Sequence, residues 1–249
     1  MKVSVITATF NRESTIARAI SSVKNQTFED IESIVVDGAS HDKTSSIVRP
    51  LLNEKDIFIS EPDEGIYDAL NKGIALASGD VIGFLHSDDL YFDNNVITKV
   101  IEMFTDRTID IVYGDVCFFS GNNINKIKRV YRSDELTKKN LAWGKMPAHP
   151  AIFIRKRIYE DIGNFDVDFK IAADYEFLCR LINYPNIKSL YIPEQIVKMQ
   201  IGGISTSGFK NTILLNKEVL RAIKKNDIYT NIFMLFSKYP SKILQFLRR

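Results

Sequence analysis

The feature that most constrains this chain is the alternation, in its first half, of short and almost wholly apolar runs with segments whose apolar residues recur at helical spacing. Val3 to Ala8, Ile34–Val35–Val36, Phe58–Ile59 and Val81 to Leu85 are the apolar runs. Runs of this kind read as strands buried on both faces of a sheet. Between them, Ile16, Ala19, Ile20 and Val23 share one helical stripe, and a second helix follows the Gly38–Ala39–Ser40 turn. Ile66 to Ala77 forms a third helix, closed by Ser78–Gly79, and Val96 to Phe104 a fourth. Strands that alternate with helices imply right-handed βαβ units, hence an α/β fold, Rossmann-related, with a mostly parallel sheet flanked by helices.

After about residue 110 the rhythm changes. Ile111–Val112–Tyr113 and Lys126 to Tyr131 read as strands with no helix between them, so this part of the sheet is expected to turn antiparallel. Ala151 to Ile154 reads as a further strand and Asp174 to Leu181 as a helix, and from Thr212 onward the chain is helical and basic. The expected organisation is one body over residues 1–209 and a C-terminal helical tail over 210–249.

Composition matters mainly through charge. Residues 210–249 carry nine Lys/Arg against two Asp/Glu, a balance of +7, so with a net charge of +2 the rest of the chain carries −5. An acidic body with a basic end is not the footprint of a nucleic-acid binder, which spreads its basic stripe over the folded domain. Two cysteines, Cys117 and Cys179, make neither a disulfide framework nor a CxxC metal site. No charged-then-apolar leader opens the chain, and no apolar run of about 18 residues crosses a membrane, so a cytoplasmic location is expected.

In open α/β sheets, ligands bind beyond the carboxyl ends of the strands. Those ends are polar here: Thr7–Ala8–Thr9–Phe10–Asn11, Asp37–Gly38–Ala39–Ser40, Glu61–Pro62–Asp63–Glu64–Gly65 and His86–Ser87–Asp88–Asp89. Carboxylates gathered at one edge repel one another unless a cation or hydrogen-bonding ligand joins them. Asp88–Asp89, at the end of a buried strand, suits a hard divalent cation that shares its oxygens with phosphates. An Asp–Asp pair also serves as a turn, Asp37–Gly38 likewise, and Asn11 is equally a cap for the helix that begins near Ser14. GxGxxG is absent after the first strand, which excludes the usual dinucleotide-dependent dehydrogenase, and no Gly-rich basic loop stands there to hold a triphosphate.

Thr7 to Asn11, Val35 to Thr44, Asp63 to Gly73, Phe84 to Asp89 and Ala172–Ala173–Asp174–Tyr175–Glu176, taken in order, resemble the motifs of the inverting family 2 glycosyltransferases of the GT-A fold, over roughly residues 1–205. The resemblance implies a nucleotide-binding half over 1–110 and an acceptor half over 111–209. It implies that Thr7, Thr9, Phe10, Asn11 and Asp37 hold the uracil and ribose of a UDP-sugar, with Asp68, Lys72 and Asp88 near the nucleotide or sugar. Asp88 and Asp89 stand at the family's Asp-x-Asp motif, Asp89 as the direct ligand of Mn²⁺ or Mg²⁺, and Asp174 is the implied catalytic base. His86 and Ser87 replace the first acid of that motif, and the Gln-x-x-Arg-Trp of processive synthases is missing. Single-sugar transfer is therefore expected, in bacterial surface-polysaccharide assembly, with a non-catalytic sugar-nucleotide-binding or scaffold protein of the same fold as the alternative.

Two further side chains are candidates for the acceptor. His149, in Met146–Pro147–Ala148–His149–Pro150, precedes a strand, and Trp143 offers an aromatic face in a loop with Gly144. Ile232, Phe233, Leu235, Phe236, Ile243, Leu244, Phe246 and Leu247 alternate with Lys238, Lys242, Arg248 and Arg249. Such an amphipathic tail fits an anionic membrane surface, where a lipid-linked saccharide acceptor would be held, and equally a helix packed on the body.

Overall fold

The computed structural model describes residues 1–121, 123–202 and 208–236. Among these residues nine strands form one sheet. They are β1 (Val3–Thr9), β2 (Ile31–Asp37), β3 (Ile57–Ser60), β4 (Val81–Phe84), β5 (Leu90–Tyr91), β6 (Ile111–Phe119), β7 (Ile127–Tyr131), β8 (Ile152–Arg155) and β9 (Ser189–Gln200). The order is β3-β2-β1-β4-β8-β6-β9-β5, with β7 paired to β6. The block β3-β2-β1-β4 is parallel throughout. Beyond it β4 meets β8, and β8 meets β6, antiparallel. β6 and β7 form the antiparallel pair expected after residue 110.

The parallel block is wound by α1 (Ile16–Lys24), α2 (Thr44–Val48) and α3 (Ile66–Leu76), and α4 (Val96–Met103) follows β5. Alternate residues of one strand feed opposite faces, as a pleat requires. Ile6 and Ala8 join Leu70, Phe84 and Phe177 in one core, whereas Val3 and Val5 join Ile97, Phe104 and Phe153 in the other. Gly73 lets α3 lie close on β1, since a Cβ there would meet the Ile6 side chain. Five further helices follow among the described residues: α5 (Lys138–Ala142), α6 (Lys156–Ile162), α7 (Ala173–Leu181), α8 (Gly208–Lys225) and the short α9 (Ile232–Phe236).

Two strands and two helices escape the sequence reading. β5 is only two residues long, and β9 contains Pro193 and a mixed pattern of half-buried residues with no clean alternation. α5 and α6 are one to two turns each, too short for periodicity to show. From α8, α9 and the turn between them, Val219, Ala222, Ile223, Ile228 and Leu235 are buried in the same core as α7. The rest of the expected amphipathic tail, residues 237–249, lies outside the described residues.

Candidate active site

The three loops that follow β1, β2 and β3 clasp one another. Asn11 has a left-handed backbone (φ 51°) and does not cap α1. Its Oδ1 accepts from the His41 N–H at 2.9 Å, and its own N–H donates to Ser40 Oγ at 2.8 Å. The Arg12 N–H donates to Thr44 Oγ1 at 2.8 Å. Asp37 is fully buried and accepts from the Ser45 and Ser60 hydroxyls at 2.9 and 2.6 Å and from both the hydroxyl and the N–H of Ser40. Gly38 lacks the Cβ that would strike the Asp63 carboxylate, so the β3 loop can close on the β2 loop. Phe10 is left 52% exposed at the rim, with its ring 6.2 Å from His41. Thr7 and Thr9 are buried at the end of β1, and the Thr9 hydroxyl has no partner.

Asp68 and Lys72 lie one turn apart on α3. Lys72 Nζ is held by Glu61 at 2.9 Å, Asp68 at 3.4 Å and the Pro62 carbonyl at 2.8 Å, so this pair secures the β3–α3 loop.

β4 ends in a turn in which the Asp89 N–H donates to the His86 carbonyl at 3.0 Å. Asp88 is half-buried, and its carbonyl accepts from Arg18 Nη2 at 3.3 Å. Asp89 is 2% exposed. Its Oδ1 accepts from the Gln200 N–H at 3.0 Å, while Oδ2 is buried with no partner. Burial, then the neighbouring charge of Asp88, push the Asp89 carboxyl well above the usual range. An orphaned carboxylate oxygen beneath a second carboxylate is a donor set that a divalent cation would satisfy, and a cation inverts such a shift. Among the described residues no group of three or more His, Cys, Asp or Glu converges at metal-ligand spacing. The donors present fit an ion that takes one or two carboxylates from protein and the remainder from phosphate, as Mg²⁺ and Mn²⁺ do.

Asp174 lies in the first turn of α7. Its Oδ1 accepts from the Tyr175 N–H at 2.8 Å and stands 3.1 Å from the Tyr67 hydroxyl, which also lies 2.7 Å from the Ile171 carbonyl. Burial pushes the Asp174 carboxyl up to about 6 against these hydrogen bonds, the range suited to a base at neutral pH. A cavity of about 550 Å³ opens beside it, lined among others by His86, His149, Tyr131, Arg129, Arg132 and Lys145. The His149 ring stacks on Phe84 at 4.8 Å and lies 5.7 Å from His86. Its Nε2 is buried without a partner, and burial together with His86 lowers its pKa to about 3, so the imidazole is neutral.

The cavity therefore brings the β4 turn, through His86, together with Asp174 and His149. Trp143 is 36% exposed and does not line it, whereas its neighbours Gly144, Lys145 and Met146 do. Tyr67, Arg129, Tyr131 and Arg132 were not singled out from sequence. Tyr67 sits inside the Asp63 to Gly73 motif, which could have flagged it, but nothing in the pattern Ile127–Tyr131 marks Arg129 as facing a cavity.

These elements have the architecture of the GT-A glycosyltransferases. The structure matches that of S. aureus TarS 1–349 in complex with UDP at a TM-score of 0.68 and 22% identity, covering 93% of this chain and 67% of that one. The TarS complex with UDP-GlcNAc gives 0.68 at 21% identity, covering 90% and 66%. The mannosyltransferase PcManGT from Pyrobaculum calidifontis, in complex with GDP-Man and Mn²⁺, gives 0.62 at 16% identity, covering 98% and 80%. This chain spans 43% of the length of the longer TarS chain. The family model "Glycosyl transferase family 2" matches residues 4–163, and the chain belongs to that family. It is a glycosyltransferase. A PGL/p-HBAD biosynthesis glycosyltransferase of Mycobacterium tuberculosis is 30% identical over 226 residues, 88% of this chain and 83% of that protein. An uncharacterized glycosyltransferase of the same species is 35% identical over 181 residues, 72% and 68% of the two chains.

Proposed function

We propose that this glycosyltransferase moves one sugar from a UDP-sugar to an acceptor hydroxyl in a single displacement that inverts the anomeric centre. The observation that carries the reading is the cavity of about 550 Å³ whose lining includes both Asp174 and His86, the latter from the turn that continues into Asp88 and Asp89. The acceptor oxygen attacks the anomeric carbon, the bond from that carbon to the diphosphate oxygen breaks, and the acceptor proton passes to an oxygen of Asp174. A partly buried carboxylate with a raised pKa is basic enough to take that proton and remains ionised at pH 7 and above. Asp88, which is half-buried, and Asp89, through its unpartnered Oδ2, would hold a divalent cation. Such a cation neutralises the charge that grows on the departing diphosphate.

The clasped loops of β1 and β2 form the nucleotide end, with Phe10 at the rim and Thr9 and Asp37 beneath it. TarS, solved with UDP and with UDP-GlcNAc, supports a uridine nucleotide as donor. On the acceptor side stand His149 and the basic side chains Arg129, Arg132 and Lys145. The acceptor in this reading is a lipid-linked saccharide presented at a membrane surface, in surface polysaccharide assembly. Tyr229 and Phe233, 80% and 86% exposed, would touch that surface ahead of the basic residues 237–249. No helix among the described residues is long and apolar enough to cross a membrane, so the contact would be peripheral.

The test is UDP release from a panel of UDP-sugars with Mn²⁺ or Mg²⁺, with and without saccharide acceptors. Release that requires metal and acceptor, and is lost in Asp174→Asn, supports the reading. UDP-sugar binding without turnover for any acceptor would make this chain a binding protein of the same fold. Full turnover in Asp174→Asn would remove Asp174 from the mechanism. For the membrane contact, residues 1–228 that sediment with anionic vesicles as well as the full chain does would refute a role for the C-terminal end.

A further inference from the structure

α7 starts at Ala173 behind the N-cap residue Ala172, and within its first turn the Asp174 carboxylate accepts the Tyr175 N–H. The N–H groups of the segment that leads into the helix find their acceptor in another part of the chain. Glu218, in the middle of α8, accepts from the Lys170 N–H at 2.8 Å through one carboxylate oxygen, and from the Ile171 and Ala172 N–H groups at 2.9 Å each through the other. Glu218 is 7% exposed, so these are three charge-assisted hydrogen bonds shielded from water. The carboxylate also faces the positive end of the α7 dipole.

α8 is itself fixed to the same segment. Lys225 Nζ bridges Asp166 at 2.7 Å and Glu176 at 3.2 Å, and the Arg221 guanidinium lies 4.4 Å over the Phe169 ring. From the opposite side, the Tyr67 hydroxyl reaches the Ile171 carbonyl. Residues 166–172 are thereby held from two helices, one on each side of the residue that precedes the base by three positions.

We propose that Glu218 is a positioning residue for the base: from α8 it ties down the backbone of residues 170–172, from which α7 starts, and so fixes where Asp174 points. Its negative charge, buried near Asp174, adds to the rise that burial gives that carboxyl. The proposal rests on Asp174 being the base. Its consequence is that α8 is part of the catalytic architecture, since it supplies the group that holds the backbone just ahead of the reacting carboxylate. The charged and titratable groups that face Asp174 are Tyr67 from α3, Glu218 from α8 and His149 from the segment before β8. Across the cavity lie His86 and the charged side chains of β7 and its following loop, which set the absolute midpoint and stay constant through the comparison.

The test compares Glu218→Gln and Glu218→Ala with the wild type and with Asp174→Asn, measuring kcat and KM for donor across pH 5 to 9. Glu218→Gln retains an oxygen acceptor but not the charge. It is expected to keep most of kcat at pH 8 while the acidic limb of the kcat profile moves to lower pH, because removing a negative neighbour makes Asp174 easier to ionise. Glu218→Ala loses the acceptor as well and is expected to lower kcat roughly 10–100-fold, the range that a misplaced reacting group costs, with KM for donor within about twofold of the wild type. If Glu218→Ala fails to fold, the limb shift in Glu218→Gln decides the matter. An unmoved limb in Glu218→Gln, or a Glu218→Ala kcat within twofold of the wild type, would overturn the proposal. Either result with Asp174→Asn inactive leaves Asp174 as the base, whereas a fully active Asp174→Asn overturns that reading independently.

Discussion

Replacing Asp174 by Asn should make the protein less active and more stable at once, and the pH dependence of the gain follows from the site. Burial lifts the Asp174 carboxyl from 3.8 to about 6, so the folded state pays for holding it ionised. At 1.36 kcal/mol per tenfold change in proton affinity, that rise corresponds to about 3 kcal/mol. The folded state binds its proton more tightly than the unfolded state, so stability from this group falls as pH rises. Below about pH 4 both states are protonated and the substitution removes nothing. Between 4 and 6 the difference grows, and above 6 it is complete. Asn offers the same acceptor oxygen to the Tyr175 N–H and the Tyr67 hydroxyl, so those hydrogen bonds persist. Unfolding entropy of about 2.1 cal/mol/K per residue, over the 249 residues, converts 3 kcal/mol into a rise in Tm of about 6 °C. Asp174 keeps some exposure to the cavity, which makes that figure a ceiling, and about 3–6 °C is expected at pH 8. Thermal unfolding of both proteins at pH 4.5, 6 and 8 tests the sign and the window. Turnover by the variant at pH 8 should fall by roughly 10²–10⁴-fold. Equal Tm values at pH 8, or a gain of the same size at every pH, would refute the claim that the raised pKa comes from burial of the charge.

Three other outcomes follow from the same geometry. Tyr67→Phe removes the hydroxyl that donates to Asp174, so the acidic limb of the kcat profile should move to higher pH, opposite to the direction expected for Glu218→Gln; a limb that moves to lower pH would mean that the hydroxyl serves only the Ile171 carbonyl. Asp89→Asn should abolish the extra thermal stabilisation that Mn²⁺ adds in the presence of UDP, roughly 2.7 kcal/mol at a hundredfold excess over the dissociation constant, and Asp88→Asn should do the same; a variant that retains it does not hold the ion. Gly73→Ala gains about 1 kcal/mol of helix propensity but presses a methyl group against Ile6, a fully buried β-branched side chain, at a cost of about 1–3 kcal/mol, so urea unfolding should give a net loss of up to about 2 kcal/mol, and a stabilised variant would show that α3 can slide on β1.

The parts of this fold that can be read from sequence are those whose signal is local. β1, β2 and β4 are buried on both faces, so their apolar runs announce them without knowledge of the neighbours, and the polar residues at their ends fall where a parallel sheet presents its ligands. β9 carries as much of the sheet, pairing with both β6 and β5, yet it is half-exposed, interrupted by Pro193, and paired across a bulge at Gly114–Asp115. Its pattern is set by what lies on each side at each register, and that is not written in β9 itself. The same distinction applies to Asn11. A polar residue before a helix reads as a cap, but Asn11 adopts a left-handed backbone and joins the β2 loop, because Ser40 and His41 come to it from the next βαβ unit.

The site divides in the same way. Asp88, Asp89 and Asp174 could be named because each stands in a short motif, while the groups that give them their properties come from far along the chain. Tyr67 reaches Asp174 across 107 positions, and Arg18 reaches Gln200, whose N–H holds Asp89, across 182. Glu218 is the clearest case. In the sequence it is one of two acids in a strongly basic stretch, which suggests no more than a solvated helix face. In the fold it is buried, and it accepts from the N–H groups of Lys170, Ile171 and Ala172, just ahead of α7. Those N–H groups must find an acceptor once they are removed from water, and nothing local in the sequence names which one. On the proposed mechanism a motif names the reacting carboxylate, while the backbone that leads to it is held by a second carboxylate from far along the chain.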